Sequence, residues 1–236
     1  VSQNSQQPKN QILAALPVSE YQRLANYLQP VSLKAGTILH EVGHIIREVY
    51  FPLEGMISLV AILANGSTTE IGIIGRQGMA GLPVIFGGNS TNIRSVVQIT
   101  GSALKLSAEI VKQEFDRQEQ LYRFLLLYIQ AIFSLVSQNA VCNNQHTIEQ
   151  RLARWLLIVS DCLEEDRLPL TQEFIGNMLG IRRAGVSVTA NSLQKKGIIE
   201  YHRGQIKILD RAKLEANACE CYRVLKDEWS RVLIYR

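Results

Sequence analysis

Leu170-Thr-Gln-Glu-Phe-Ile-Gly-Asn-Met-Leu-Gly180, followed by Ile181-Arg-Arg-Ala-Gly-Val-Ser-Val-Thr-Ala-Asn-Ser-Leu193, is the stretch whose reading decides the fold of this 236-residue chain. Thr171 stands where an N-cap belongs, Glu173 falls in the first turn, and Phe174, Ile175, Met178 and Leu179 share one face. A short helix stopped by Gly180 is predicted. A second helix is predicted from Arg182, with Val186, Ala190 and Leu193 as its buried side and Gly197 as its C-cap. Two short helices joined by a tight turn make a helix-turn-helix, whose second member enters the major groove of a DNA duplex.

If that inward side is right, Arg183, Ser187 and Asn191 face outward together with Arg182, Ala184 and Val188. These side chains suit base edges: Arg the O6/N7 edge of guanine, Asn the N6/N7 edge of adenine, Ala or Val the thymine methyl. Gly185 is unusual within a helix and would permit a close backbone approach. Beyond Gly197, Ile198 to Tyr201 and Ile206 to Leu209 flank the turn His202-Arg-Gly-Gln205, a hairpin that reads as a wing. Arg203 and Lys207 on it suit phosphates, which fix position without carrying sequence information. Thr171 and Gln172, at the start of the first helix, complete the expected DNA-contacting set.

Charge supports this reading through its distribution. The chain as a whole carries +4, but between Thr171 and Lys213 eight Lys/Arg face only Glu173, Glu200 and Asp210, while the remainder holds 17 basic and 18 acidic residues. A basic region of this kind is the footprint of a nucleic-acid module.

Upstream, three zones follow one another. Residues 1–10 are polar and are expected to form a tail; a helical lead-in, Ile12 to Leu28, is ended by Pro30. From Val31 to about Leu106 the chain is β-branched, alternates apolar with polar, and is punctuated by glycines, so short strands joined by turns are expected, as in a small β-barrel or jelly roll. From Ala108 to about Asn144 glycine and proline vanish. Leu121, Leu125, Tyr128, Ile132, Leu135, Asn139, Cys142 and His146 then fall at alternating steps of four and three. That is a heptad seam, and Phe124, Leu127, Ala131 and Val136 form a second stripe, so the helix is expected to face a partner helix on one side, with Asn139 fixing register, and the β-domain on the other; the alternative is a long amphipathic helix buried within one chain. A further helix, Ile148 to Cys162, leads through an acidic loop to the segment quoted first. No run of about 20 uninterrupted apolar residues is present, so no membrane span is expected.

In this order of parts the chain resembles the Crp/Fnr superfamily of bacterial regulators. Lys34-Ala-Gly-Thr-Ile-Leu39 and Val49-Tyr-Phe-Pro-Leu-Glu-Gly-Met-Ile57 resemble early strands of its cyclic-nucleotide-binding-type β-roll, the long helix resembles its dimer helix, and Leu170 to Leu193 its helix-turn-helix. The resemblance implies an α+β fold with a β-roll sensor domain over residues 11–117, a dimerisation helix over 118–146 and a winged helix-turn-helix over 147–236. It implies a cytoplasmic homodimer on a roughly palindromic operator in double-stranded DNA, contacting RNA polymerase and modulated by an unknown small effector.

Two departures narrow these expectations. Nucleotide-binding relatives place a Glu on the ribose and an Arg-Ser or Arg-Thr pair at the phosphate. Here the matching residues are Gly78-Met79-Ala80-Gly81, with Arg94-Ser95 after a longer interval. A thioether cannot accept the ribose hydroxyls as a carboxylate does, so a cyclic nucleotide is not the expected effector; Arg94 is left to meet another anion or a carboxylate. On the recognition helix, Ala184 and Val188 replace the family's usual Glu and Arg, so a different operator is expected. No cysteine precedes Cys142, so no iron-sulfur cluster of the oxygen-sensing kind is expected.

Two chemical alternatives remain. His40-Glu41-Val-Gly-His44 matches the H-E-x-x-H pattern of zinc peptidases, the signature of a metal-dependent hydrolase, but that chemistry needs a helix, and Gly36 and Gly43 place the motif on a β-turn. Cys142 and His146 lie one helical turn apart and could share a metal or haem across a dimer, although residues so placed are more often ordinary seam packing. Cys219 and Cys221 would diverge by about 200 degrees on a helix and could not chelate together. No metal site and no catalysis are therefore expected.

Overall fold

The computed structural model describes residues 8–234. The expected N-terminal tail lies outside the described residues up to position 7, but its end is tied down. Asn10 is fully buried: its Nδ2 donates to the carbonyl oxygens of Pro52 (3.0 Å) and Gly78 (2.9 Å), and its Oδ1 accepts from Leu13 N as the cap of α1 (Gln11–Ala14). The single lead-in helix is in fact two, α1 and α2 (Val18–Ala25), because Pro17 has no N–H to continue the first and serves as N-cap of the second.

The strands β1 (Gln29–Leu33), β2 (Ile38–His40), β3 (Glu48–Ile62), β4 (Thr68–Ile74) and β5 (Arg94–Ser107) form one sheet ordered β1-β5-β3-β4, with β2 also on β5. Pro30 lies in β1, at the sheet's edge, where a missing donor is tolerated. β3 and β5 are long, not the short strands expected. Two of the glycines read as turn punctuation sit inside them at a close crossing. A Cβ on Gly101 would lie 2.1 Å from the carbonyl oxygen of Glu54, and one on Gly55 2.5 Å from that of Ile99. The core of this sheet is Leu33, Ile57, Ile74, Ala80, Val97 and Ala103; along β5, Val97 and Ala103 alternate with less buried neighbours as the pleat requires, whereas Ile57 and Ile74 are flanked by residues that are buried as well.

Helix α3 (Ala108–Asp116) ends before Gln118, whose φ of 57° breaks the path, and α4 (Gln120–Gln145) begins anew. Its first free N–H groups, on Gln120 and Leu121, donate to the buried Glu20 carboxylate at 3.1 and 3.0 Å. By length and composition α4 is apolar enough to cross a bilayer. Part of it is packed within the chain: Tyr128 is fully buried with its hydroxyl donating to Met79 O (3.0 Å), and Asn139 Nδ2 donates to Ile71 O (2.8 Å).

The remaining elements are α5 (Ile148–Leu163), β6 (Arg167–Leu168), α6 (Gln172–Leu179), α7 (Arg183–Lys195), β7 (Ile199–His202), β8 (Gln205–Ile208), α8 (Arg211–Asn217) and α9 (Cys221–Ile234). A capping box between Thr147 and Gln150 starts α5, and β6-β8-β7 make a small antiparallel sheet. The chain divides into two compact units. One takes in the chain up to Leu59 with Ile73–Gln130; the other is Val60–Gly72 with Ala131–Arg231. The division passes through α4 and assigns the tip of the β3-β4 hairpin to the second unit.

Candidate nucleic-acid interface

Thr171 caps α6 by accepting from Phe174 N (3.2 Å), and Gly180 ends it in the left-handed region at φ 64°. The turn to α7 is tight: Ile181 N donates to Gly176 O (2.9 Å), and a Cβ on Gly176 would meet Ile181 O at 2.9 Å. Gly176 is thus the glycine on which the turn depends, and sequence reading passed over it. Gly185, singled out instead, has only ordinary contact distance to Ile181 (3.6 Å), so no packing inside the chain requires it.

Arg182 is the N-cap of α7, not its first turn, and Lys196 is the C-cap with Gly197 following at φ 68°. Val186, Ala190 and Leu193 are buried on the inner side. On the other side Arg183, Ala184, Val188 and Asn191 are exposed and Ser187 is half-buried, Val188 being 71% exposed despite its apolar character. Arg183 Nε donates to Gln172 Oε1 (3.2 Å), which holds the guanidinium beside the start of α6.

The wing is β7-β8, closed by Arg203 (φ 46°) and Gly204 (φ 78°), consecutive left-handed residues of the kind that suit a tight two-residue hairpin. β6 adds an unforeseen third strand, pairing Arg167 with Lys207. Thr171, Gln172, Arg183, Asn191, Tyr201 and Arg203 line one groove, so helix face and wing converge. The basic segment is less uniform than its count. Lys196 pairs with Glu149, Arg211 with Asp161 and Glu215 (3.2 Å), and Lys213 with Asp210 (3.0 Å). Among the described residues Arg182, Arg183, Lys195, Arg203 and Lys207 have no ion-pair partner, and all are exposed.

The residues expected to form an effector pocket are differently placed. Met79 and Ala80 are fully buried, and Ala80 pairs through its backbone with Tyr50. A Cβ on Gly78 would lie 2.5 Å from the Tyr128 hydroxyl, so Tyr128 packs directly on this loop, and Gly81 turns it at φ 111°. Arg94 meets a carboxylate: Nε and Nη2 donate to the two oxygens of Glu41 at 3.1 and 2.7 Å, which holds the Glu41 carboxyl below its usual range. Ser95 is buried, 3.2 Å from His40 Nδ1, and His40 Nε2 lies 2.8 Å from Glu48 O. Burial pushes the His40 imidazole below its ordinary pKa, so it stays neutral. Both nitrogens of His40 and the carboxylate of Glu41 are thus engaged, and residues 41–44 form a turn; the helix that H-E-x-x-H chemistry needs is absent there.

Two readings of side-chain placement are corrected. Leu121, Leu125, Tyr128 and Leu135 are buried within the chain and Asn139 and Ile132 are partly covered, so the heptad seam faces the chain's own core. The exposed apolar stripe of α4 is Leu126, Phe133 and Val136, with Phe133 72% exposed. Cys219 lies outside any helix and Cys221 begins α9, so the 200-degree divergence does not apply, and both thiols come beside Cys142 and His146. Their separation of more than 70 residues from that pair hides the cluster from any local spacing rule.

The Crp-like helix-turn-helix domain family matches residues 150–217, and the cyclic nucleotide-binding domain family matches residues 30–118. The chain belongs to the Crp/Fnr family. It is a transcriptional regulator with a DNA-binding helix-turn-helix and an effector-type β domain. The chain is similar in fold to FixK2 from Bradyrhizobium japonicum, with a TM-score of 0.71 and 17% identity over 81% of this chain and 98% of that one. A putative regulator of the crp/fnr family from Eubacterium rectale gives 0.67 and 20% over 88% and 95%. The c-di-GMP responsive regulator CLP of Xanthomonas campestris gives 0.67 and 15% over 81% and 99%. No curated protein sequence matches the chain. The Crp/Fnr assignment rests on the two domain matches; the structural likenesses speak for the fold.

Proposed function

We propose that this Crp/Fnr chain acts in the bacterial cytoplasm as a homodimer on a roughly palindromic operator, with one α7 in each of two successive major grooves. The observation that carries the reading is the division of α7 into a fully buried inner side and an outer side bearing Arg183, Asn191, Ala184 and Val188, with the wing's Arg203 on the same groove. Arg183 takes a guanine, Asn191 an adenine, and Ala184 or Val188 a thymine methyl. Ser187 adds a hydroxyl to the same face. Arg182, Arg203 and Lys207 take phosphates, and Thr171 and Gln172 stand at the start of α6, where Gln172 also orients Arg183.

The stripe Leu126, Phe133 and Val136 supplies the dimer contact in place of the buried seam. RNA polymerase is the further partner that membership of the family implies. The effector is a small molecule other than a cyclic nucleotide, which is supported by the burial of Met79 and by the Glu41 carboxylate occupying the Arg94 guanidinium.

Selection of bound duplexes from a random pool tests this. The expected result is a motif of two inverted half-sites centred about one helical turn apart, roughly 10 base pairs. A single half-site, or no enriched motif, would overturn the dimeric reading.

A further inference from the structure

Outside the DNA-reading face, four side chains with metal-ligating atoms meet in one place. Cys142 lies in the last turn of α4 and His146 just beyond its end, and Cys219 and Cys221 lie just before and at the start of α9. Their ligand atoms all lie within 4.8 Å of one another, Cys142 Sγ to Cys219 Sγ being 3.5 Å and Cys221 Sγ to His146 Nδ1 3.7 Å. We propose that Cys142, His146, Cys219 and Cys221 form a tetrahedral binding site for a zinc-type divalent cation.

The distances fit that chemistry. Sulfur ligands at about 2.3 Å and a nitrogen at about 2.0 Å from a single ion, at tetrahedral angles, stand about 3.5 to 3.8 Å from one another. Closing the site on an ion therefore takes only a small contraction. A four-iron cluster, in which each protein ligand binds a different iron, needs ligand atoms spread more widely than these.

The surroundings fit as well. His146 Nε2 lies 3.2 Å from Glu220 Oε2, so this nitrogen carries the proton and donates to the carboxylate, leaving the Nδ1 lone pair for the ion. That is the carboxylate-histidine-metal arrangement that fixes a ligand's tautomer. All three cysteines are buried and none is in a disulfide. Arg154, itself buried, donates to Asn139 Oδ1 (2.7 Å), yet its Nε and Nη1 have no hydrogen-bond partner. Its charge acts on all three thiols, and that of Arg151 on Cys142 and Cys219.

Burying a guanidinium is costly unless an opposite charge answers it. Three thiolates, one divalent cation and a neutral imidazole carry a single negative charge, which answers it; the three thiol protons leave to solvent on binding.

The test uses the full chain, purified under reducing conditions without a chelating tag. Elemental analysis, with added Zn²⁺ followed by desalting, should find one zinc per chain. Co²⁺ in its place should give the intense visible bands of a tetrahedral, thiolate-ligated ion. Cys219→Ser and His146→Gln should each weaken zinc retention more than about tenfold, and Glu220→Gln should weaken it by about tenfold. Cys162→Ser, which alters the buried cysteine outside the cluster, should leave it unchanged. Absence of stoichiometric zinc and of the cobalt bands in the unaltered chain, a Cys142–Cys219 disulfide under these conditions, or iron with inorganic sulfide would each overturn the proposal. Metal content is read without DNA, so this outcome is separate from that of the operator selection.

Discussion

Gly176 and Gly185 show what single residues contribute. Both lie in the helix-turn-helix, yet only Gly176 faces a backbone oxygen too close for a methyl group. Gly176→Ala should destabilise the chain by about 1 to 3 kcal/mol in urea unfolding, because the neighbour is backbone and cannot swing aside. Gly185→Ala should be neutral or stabilising by up to about 1 kcal/mol, the helix propensity difference, while leaving room for a separate loss of DNA affinity. Equal destabilisation by the two would contradict the packing described. Sequence periodicity correctly separated the faces of α7, since Val186, Ala190 and Leu193 have only one way to be buried together. It gave no means of ranking glycines, because their need depends on which backbone passes nearby. The thiol cluster was hidden for a related reason: Cys219 lies outside α9, so angles measured on a helix did not apply to it.

Among the elements, α4 is the instructive one. Its apolar periodicity was legible, but a heptad pattern says which residues share a face and not which surface covers them. Leu121, Leu125, Tyr128 and Leu135 are covered by the chain itself, leaving Leu126, Phe133 and Val136 outward. Phe133→Arg should therefore shift sedimentation from dimer to monomer without lowering the melting temperature of the folded chain at low concentration. Tyr128→Phe should instead leave association unchanged and cost about 1 kcal/mol, since it strips the Met79 carbonyl of its buried donor. The start of α4 offers a further check. Glu20 accepts from two helix N–H groups, and Glu20→Ala should destabilise by about 1 to 2 kcal/mol, a loss seen as a lower urea midpoint with an unchanged slope. The β strands were legible in type but not in length, because Gly55 and Gly101 mark a crossing inside β3 and β5 and not their ends.

For the whole molecule, the order of β domain, long helix and winged helix-turn-helix followed from composition along the chain, whereas ligand selection did not. The loop at Met79 is packed under Tyr128, and Arg94 is held by Glu41. Cyclic AMP or cyclic GMP should accordingly leave the melting temperature unmoved; a ligand at about 100 times its dissociation constant would add about 2.7 kcal/mol, an easily measured rise. The claim on which the account rests is that α7 reads bases and the wing only holds phosphates. Fluorescence anisotropy of the selected operator and of a scrambled duplex, at one fixed salt concentration, compares the unaltered chain with Arg183→Ala. The account predicts a loss of about 1 to 3 kcal/mol on the operator and almost none on the scrambled duplex. An equal loss on both duplexes would contradict it.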